Sequence, residues 1–163
     1  MASDRLTVNA SPLIFLTRIE GLDWIVRLAD APVLVPQAVL REVEAGDGGA
    51  AIATRLHGDA RFSIVSDAPV PAVVTAWDLG AGETQVLAHC CQQPGLIAVL
   101  DDKAARQCAR GLGVRLLGTI GLVLVAKRRG WIPHARPVIE RLQAQGMFLS
   151  ADLVATALQD AGE

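Results

Sequence analysis

Short apolar runs of strand length alternate along this chain with amphipathic runs of helix length, and this alternation constrains the fold more than any other feature. The runs that predict strands are "RLTV" ending at Val8, "PVLVP", "RFSIVS", "LIAVLDD" and "VRLLG". Strands that alternate with helices pair in parallel through right-handed crossovers. The sequence therefore predicts an α/β fold, a three-layer α/β/α sandwich around a mostly parallel central sheet.

The segments between and after these strands carry the periodicity and the end signals of helices. They are "SPLIFLTRI", "GLDWIVRLA", "PQAVLREVEAG", "GGAAIATRLHGD", "VPAVVTAWD", "ETQVLAHCCQQ", "KAARQCARGLG", "TIGLVLVAKRRG", "ARPVIERLQAQG" and "SADLVATALQDAG". Ser11 is expected to cap the first helix and Ser150 the last. No linker divides the chain, so we expect one domain over residues 1–163. Its sheet and surrounding helices would span about residues 1–118, and a helical C-terminal tail about residues 119–163.

Charge and aromatic content narrow the functions that this chain can perform. The net charge is -2 and the pI is about 5.9, so a general basic footprint for nucleic acid is absent and any polyanion contact must be local. Aromatic residues make up 4% of the chain, with no Tyr, which argues against an extended stacking platform for single strands.

The cysteines and the hydropathy pattern predict a reduced, cytoplasmic protein without a membrane anchor. Three Cys, two of them adjacent at Cys90 and Cys91, do not form a disulfide framework or a zinc-ligand spacing. The N-terminus lacks the pattern of a signal peptide. The longest apolar stretch, Leu116 to Ala126, is too short to span a bilayer.

Polar residues follow several predicted strands, either directly or one turn into the next helix. They are Asn9, Glu42, Glu83, and the pair Asp101 and Asp102. Each has an ordinary structural explanation as a turn residue, a solvated helix residue, a partner of the helix dipole or a helix cap. Binding sites of open parallel sheets, however, lie beyond the carboxyl ends of the strands.

As a set, these residues favour a metal site. Acids that converge at one sheet edge repel one another unless a cation neutralises them. Oxygen ligands without Cys or His suit Mg²⁺ or Mn²⁺, and such a site suits hydrolysis of phosphodiesters. The three His form no recognisable triad, and "GAGETQ" lacks the Lys of a phosphate-binding P-loop.

The motifs "VNASPLI", "VPQAVLREVEAG", "GAGETQVLA", "VLDDKAAR" and "GVRLLGTIGLVLVAKRRGWIP" occur in an order that resembles the PIN-domain superfamily. The resemblance runs from about Leu6 to the C-terminus and is closest to a PIN-like branch beside the VapC-type toxins of toxin–antitoxin pairs. It implies a Mg²⁺- or Mn²⁺-dependent ribonuclease that acts on RNA in the cytoplasm. It also implies a small antitoxin protein as partner, and a homodimer.

The resemblance assigns roles to individual positions. The quartet of family acids falls on Asn9, Glu42, Glu83 and Asp102, with Asp101 as a close competitor for the fourth place. The metal ligands would be Glu42, Glu83 and Asp102 or Asp101, with Glu42 also activating water. Ser11 would support the first position. Apart from the resemblance, Lys103 and Arg106 lie on the helix that follows the acid pair, where they either contact the RNA backbone or form part of a solvated helix face.

Asn9 departs from the family pattern. An amide oxygen can accept a metal bond, but it supplies no negative charge and cannot act as a base. This departure supports an alternative function, a catalytically attenuated PIN-like module that acts by binding RNA or a partner protein. A third possibility is a structural or small-molecule-binding α/β domain that shares no metal site.

Overall fold

The computed structural model describes residues 4–163 and contains one five-stranded sheet in which every strand pair is parallel. Its strands are β1 Arg5–Val8, β2 Val33–Pro36, β3 Phe62–Val65, β4 Leu96–Val99 and β5 Arg115–Leu117. Their order across the sheet is β3-β2-β1-β4-β5. The first strand thus lies at the centre, between β2 and β4, and its carboxyl end opens onto the middle of one sheet edge.

Helices cover the sheet and complete the predicted α/β/α sandwich, which is confirmed. They are α1 Ala10–Arg18, α2 Leu22–Leu28, α3 Gln37–Ala45, α4 Gly49–His57, α5 Ala72–Thr75, α6 Ala81–Gln92, α7 Lys103–Gly111, α8 Thr119–Arg128, α9 Arg136–Ala144 and α10 Ala151–Asp160. Helix α6 packs on β1, β2 and β4, while α8 packs against α1, α2, α9 and α10.

The core explains why the strands read as continuous apolar runs. Leu6, Val8, Val33 and Val99 are inaccessible to solvent because helices lie on the faces of the sheet. Burying one such side chain stabilises the fold by about 1.5–3 kcal/mol relative to leaving it exposed. The strands are held rigidly enough to fix the polar residues that follow them.

The first helix begins two residues earlier than a cap at Ser11 predicts. It starts at Ala10, with Asn9 in the N-cap position, and no side chain caps it. Ser11 is therefore not the cap, and its hydroxyl instead donates to Asp101. Ser150 does cap α10, where its Oγ accepts from the Leu153 amide.

The state of the cysteines and the length of the helices can be reported for residues 4–163. All three Cys are free; Cys90 and Cys108 are buried, whereas Cys91 is half-buried. In that same part of the chain, no helix combines the length and the apolarity needed to cross a bilayer.

Candidate active site

The polar residues predicted from the sequence surround the carboxyl ends of β1 and β4. Asn9 directly follows β1, and its amide N–H donates to the Val99 carbonyl at the end of β4, 3.1 Å away. Asn9 is only 2% exposed. The side-chain amide is therefore held at a fixed, buried position between the two central strands.

Two glutamates reach Asn9 from different helices. Glu83 lies in the first turn of α6, and its Oε1 accepts a hydrogen bond from Asn9 Nδ2, 3.0 Å away. Glu42, from α3, accepts a hydrogen bond at Oε1 from the Gly82 amide, 2.8 Å away. The free amides and the dipole of a helix N-terminus favour a carboxylate at this place. We call Asn9, Glu42 and Glu83 the glutamate cluster.

Two glycines make the close approach of these side chains possible. A Cβ atom at Gly82 would lie 2.6 Å from Asn9 Oδ1 and would also collide with Glu42 Oε2. A Cβ atom at Gly80 would lie 2.5 Å from Glu83 Oε2. The segment "GAGE" is thus glycine-rich because carboxylates, and not a phosphate loop, occupy the space beside its backbone.

One oxygen of the glutamate cluster, that of the Asn9 side chain, receives no hydrogen bond from the described residues. Asn9 Oδ1 is buried and has no hydrogen-bond partner among residues 4–163. It approaches the same point beside Gly82 as Glu42 Oε2 does. A buried acceptor without a partner is costly, and two facing acceptors call for a positive charge or a donor between them. Hard oxygen donors of this kind fit Mg²⁺ or Mn²⁺.

Asp101 forms a second cluster, in which the carboxylate is fully hydrogen-bonded. Its Oδ2 accepts from Ser11 Oγ at 3.1 Å and from Thr119 Oγ1 at 2.7 Å, and its Oδ1 accepts from the Thr119 amide at 2.8 Å. Thr119 is completely buried at the N-terminus of α8. We call Ser11, Asp101 and Thr119 the aspartate cluster.

Asp102 has a different environment from its neighbour. It is the N-cap of α7, and its Oδ2 accepts from the Ala105 amide, 2.9 Å away. Both Asp102 and the following Lys103 are exposed. Of the two adjacent acids, Asp101 therefore makes the contacts within the site, while Asp102 stabilises the start of α7.

Arg106 lies beside the aspartate cluster. Its Nη1 donates to the Leu100 carbonyl, 3.0 Å away. A Cβ atom at Gly118 would lie 2.9 Å from Arg106 Nη1 and 3.2 Å from Asp101 Oδ1, so both side chains border the same space. Burial lowers the pKa of Arg106, but a guanidinium starts from so high a value that it stays charged. It is a fixed positive charge next to the acids.

The predicted residues thus separate into two neighbouring groups. The structure joins Asn9 to Glu42 and Glu83, and it joins Ser11 to Asp101. Within residues 4–163, no three His, Cys, Asp or Glu side chains are grouped closely enough to hold one ion by themselves. A cation at the glutamate cluster would need the Asn9 oxygen as a third protein ligand.

Sequence reasoning missed Thr119, Gly80 and Gly82. Thr119 could have been found by the rule that identified the other residues, because it is a polar residue that follows a strand, here β5. The two glycines carry no polar group. Their role shows only when the packing of Glu42 and Glu83 against the backbone is known.

Comparisons with known proteins agree with this fold. A family model described as PIN domain matches residues 5–163. A solved structure described as that of the PIN domain endonuclease Utp24 is similar in fold, with a TM-score of 0.54 and 16% sequence identity. The match covers 70% of this chain and 84% of that chain. No curated protein sequence matches the chain. Since the family model matches almost the whole length and the fold is the same, this chain belongs to the PIN domain family.

Proposed function

We propose that this protein is an endoribonuclease that depends on Mg²⁺ or Mn²⁺. The observation that carries this proposal is the buried Asn9 Oδ1, which has no partner among residues 4–163 and faces Glu42 Oε2. PIN domains are generally nucleases, so the family supports action on a nucleic acid. RNA is proposed over DNA because the sequence motifs resemble the PIN-like branch beside the VapC-type toxins, and this resemblance implies a ribonuclease.

The chain's own residues have distinct tasks in this proposal. Glu42, Glu83 and the Asn9 oxygen would hold the cation, and Glu42 would also orient the attacking water and accept its proton. Asp101, fixed by Ser11 and Thr119, supplies a second negative charge at the same edge of the sheet. Lys103 and Arg106 contact phosphates of the RNA. The cation would lower the pKa of water and offset the charge that develops on the phosphate.

A finer proposal concerns the biological setting. We infer that the ribonuclease is the toxin of a toxin–antitoxin pair in the cytoplasm, that it forms a homodimer, and that a small antitoxin protein binds it. The order of the sequence motifs supports this inference. Size-exclusion chromatography with light scattering tests the dimer, and co-purification with the product of the adjacent open reading frame tests the antitoxin.

The decisive experiment is cleavage of mixed single-stranded RNA in Mn²⁺, in Mg²⁺ and in chelator, with single-stranded DNA of matching sequence beside it. Asp101→Asn and Asp102→Asn form a matched pair of variants. We expect cleavage of RNA that needs the cation and that Asp101→Asn reduces more than Asp102→Asn. No cleavage of either nucleic acid with either cation would contradict the proposal. Equal losses in the two variants would remove Asp101 from its assigned role.

Asn9 favours one rival function, the attenuated module that acts by binding. Its amide contributes no charge to a site in which hard-cation affinity tracks ligand charge. If the native protein does not cleave RNA and Asn9→Asp both tightens Mn²⁺ binding and produces cleavage, the native chain is attenuated. If Asn9→Asp changes neither quantity, the amide is an adequate ligand and the rival is wrong.

Calorimetry distinguishes the ribonuclease and the attenuated module from a domain that binds no metal. Titration of Mn²⁺ into the protein should release or absorb heat and raise the melting temperature. A titration without heat and without a thermal shift would favour the structural or small-molecule-binding domain.

A further inference from the structure

A groove of about 350 Å³ begins at the aspartate cluster and runs towards the C-terminal helices. Asp101 and Arg106 line it, as do Thr156 and Asp160 of α10. Its walls are apolar and include Leu117, Ile120, Leu124 and Met147. A mostly apolar cleft of this size with a few polar groups has the character of a small-ligand pocket. It is also continuous with the candidate catalytic residues.

An exposed aromatic ring borders this groove. Phe148 is 91% exposed, more than any other large hydrophobic residue among residues 4–163. It lies in the segment between α9 and α10. A ring left in water beside an apolar groove offers a face on which a flat molecule can stack. Stacking on an aromatic side chain is a principal way in which proteins hold unpaired bases.

Helix α7 supplies positive charge next to the groove. Lys103, Arg106 and Arg110 are spaced by three and four residues, which places them along one face of the helix. Burial is the main cause of the lowered pKa of Arg106, and the nearby charge of Arg110 contributes to it. Such a row suits the phosphates of a strand whose base enters the groove. The negative Asp101 and Asp160 exclude the phosphates from the groove itself.

We propose that this groove is a subsite for one unpaired nucleobase of an RNA strand, with Phe148 stacking on the base and α7 contacting the flanking phosphates. The proposal deepens the proposed function and rests on it for the choice of RNA. It is consistent with the low aromatic content, since one ring serves one base and no extended platform is required. A protein partner would use the apolar walls equally well, but it would not explain why Asp101 of the candidate site and the charged Arg106 line the same groove.

The test measures RNA binding without cleavage. A fluorescent, mixed-sequence, short single-stranded RNA is titrated with the full chain in chelator, and its anisotropy gives the dissociation constant. Phe148→Ala should weaken binding by about tenfold, which corresponds to the loss of one stacked base. Phe148→Leu should weaken it similarly because an aliphatic side chain has no π-face, and Phe148→Trp should restore it. Trp77→Ala is the matched control, since Trp77 is also an exposed aromatic, at 40%, but does not line the groove.

Four outcomes are informative. Weakening by Phe148→Ala and Phe148→Leu, with recovery in Phe148→Trp, supports the subsite. Equal affinity in all variants, or no RNA binding by the native chain, overturns it. A change of oligomeric state in Phe148→Ala with unchanged RNA affinity also overturns it and identifies the groove as a protein interface. If the native chain never cleaves RNA but the Phe148 variants weaken binding as expected, the subsite stands and the ribonuclease proposal fails.

Discussion

The glutamate cluster and the aspartate cluster lie at the same edge of one sheet, yet they differ in the hydrogen bonds that their side-chain oxygens accept. In the aspartate cluster, both oxygens of Asp101 receive donors from Ser11 and Thr119. In the glutamate cluster, Asn9 Oδ1 is buried and receives none from residues 4–163. One half of the site is complete by itself, whereas the other half needs a positive charge or a donor.

This difference indicates how the two halves contribute. A carboxylate with three donors is held in one orientation, so it serves as a fixed charge. A buried acceptor without a partner costs about 1–3 kcal/mol, and a bound cation would recover that energy. The glutamate cluster is therefore the half whose stability should depend on divalent cations, and the aspartate cluster the half whose stability should not.

The largest expected effect follows from neutralising Glu42. Glu42→Gln keeps the shape of the side chain but removes the charge that holds the cation and the base that accepts the proton of water. We expect cleavage to fall by about 100-fold or more, and the Mn²⁺-induced rise in melting temperature to disappear. Initial rates on RNA and thermal unfolding with and without Mn²⁺ measure the two effects.

The matched control for this variant is Glu44→Gln on the same helix, because Glu44 is exposed. It should leave the rate and the thermal shift unchanged. A Glu42→Gln variant that still cleaves at the native rate would mean that the two halves do not differ in the way the structure suggests.

A smaller effect is expected from filling the space between the facing oxygens. Gly82→Ala places a methyl group against Asn9 Oδ1 and Glu42 Oε2. We expect Mn²⁺ affinity to fall by about 10- to 100-fold, measured by calorimetry. Gly111→Ala is the control, since it is also a helical glycine but has no atom within 4 Å of the added methyl group. It should bind Mn²⁺ normally and be slightly more stable. Native affinity in Gly82→Ala would place the cation elsewhere.

Much of this molecule could be predicted from the sequence. The strands and helices follow from periodicity and from Gly, Pro and Ser at their ends, and the parallel arrangement follows from their alternation. Asn9 could be singled out because it directly follows a predicted strand, at the edge where the binding sites of parallel sheets lie. These inferences depend on local patterns, which a single sequence contains.

The division of labour within the site could not be predicted. Whether Asp101 or Asp102 faces inwards depends on where β4 ends, and a shift of one residue reverses the direction of a side chain. The strand ends at Val99, and the Leu100 amide still donates to the Leu117 carbonyl, which leaves Asp102 to cap α7. The link from Ser11 to Asp101 spans 90 residues, and no local pattern encodes such a contact.

The aspartate cluster offers a test that is independent of the cation. Thr119→Val keeps the shape and the backbone donor but removes the hydroxyl that donates to Asp101. We expect a loss of about 1–2 kcal/mol in unfolding free energy and a fall of about tenfold in cleavage rate. Thr119→Ser should restore most of both. Mn²⁺ affinity should stay native in each variant; a large loss of affinity would show that Asp101 belongs with the glutamates.

The smallest effect concerns Glu163, a carboxylate that is hydrogen-bonded like Asp101 but belongs to neither cluster. It accepts from the Ala135 amide at 2.8 Å and the Arg136 amide at 3.0 Å, and Lys127 Nζ lies 3.2 Å away. These contacts lower the pKa of Glu163 from 4.5 to about 2. A lowered pKa means that the charged form stabilises the fold above pH about 4.5 and that this contribution is lost as the pH falls towards about 2.

Glu163→Gln should therefore melt at a lower temperature than the native chain at neutral pH, and the difference should shrink on acidification. Cleavage should be unchanged, because a satisfied carboxylate outside the site contributes to stability alone. A loss of activity in this variant would show that a fully hydrogen-bonded carboxylate outside the site also affects cleavage. The distinction between hydrogen-bonded carboxylates and the unpaired oxygen of the glutamate cluster would then be wrong.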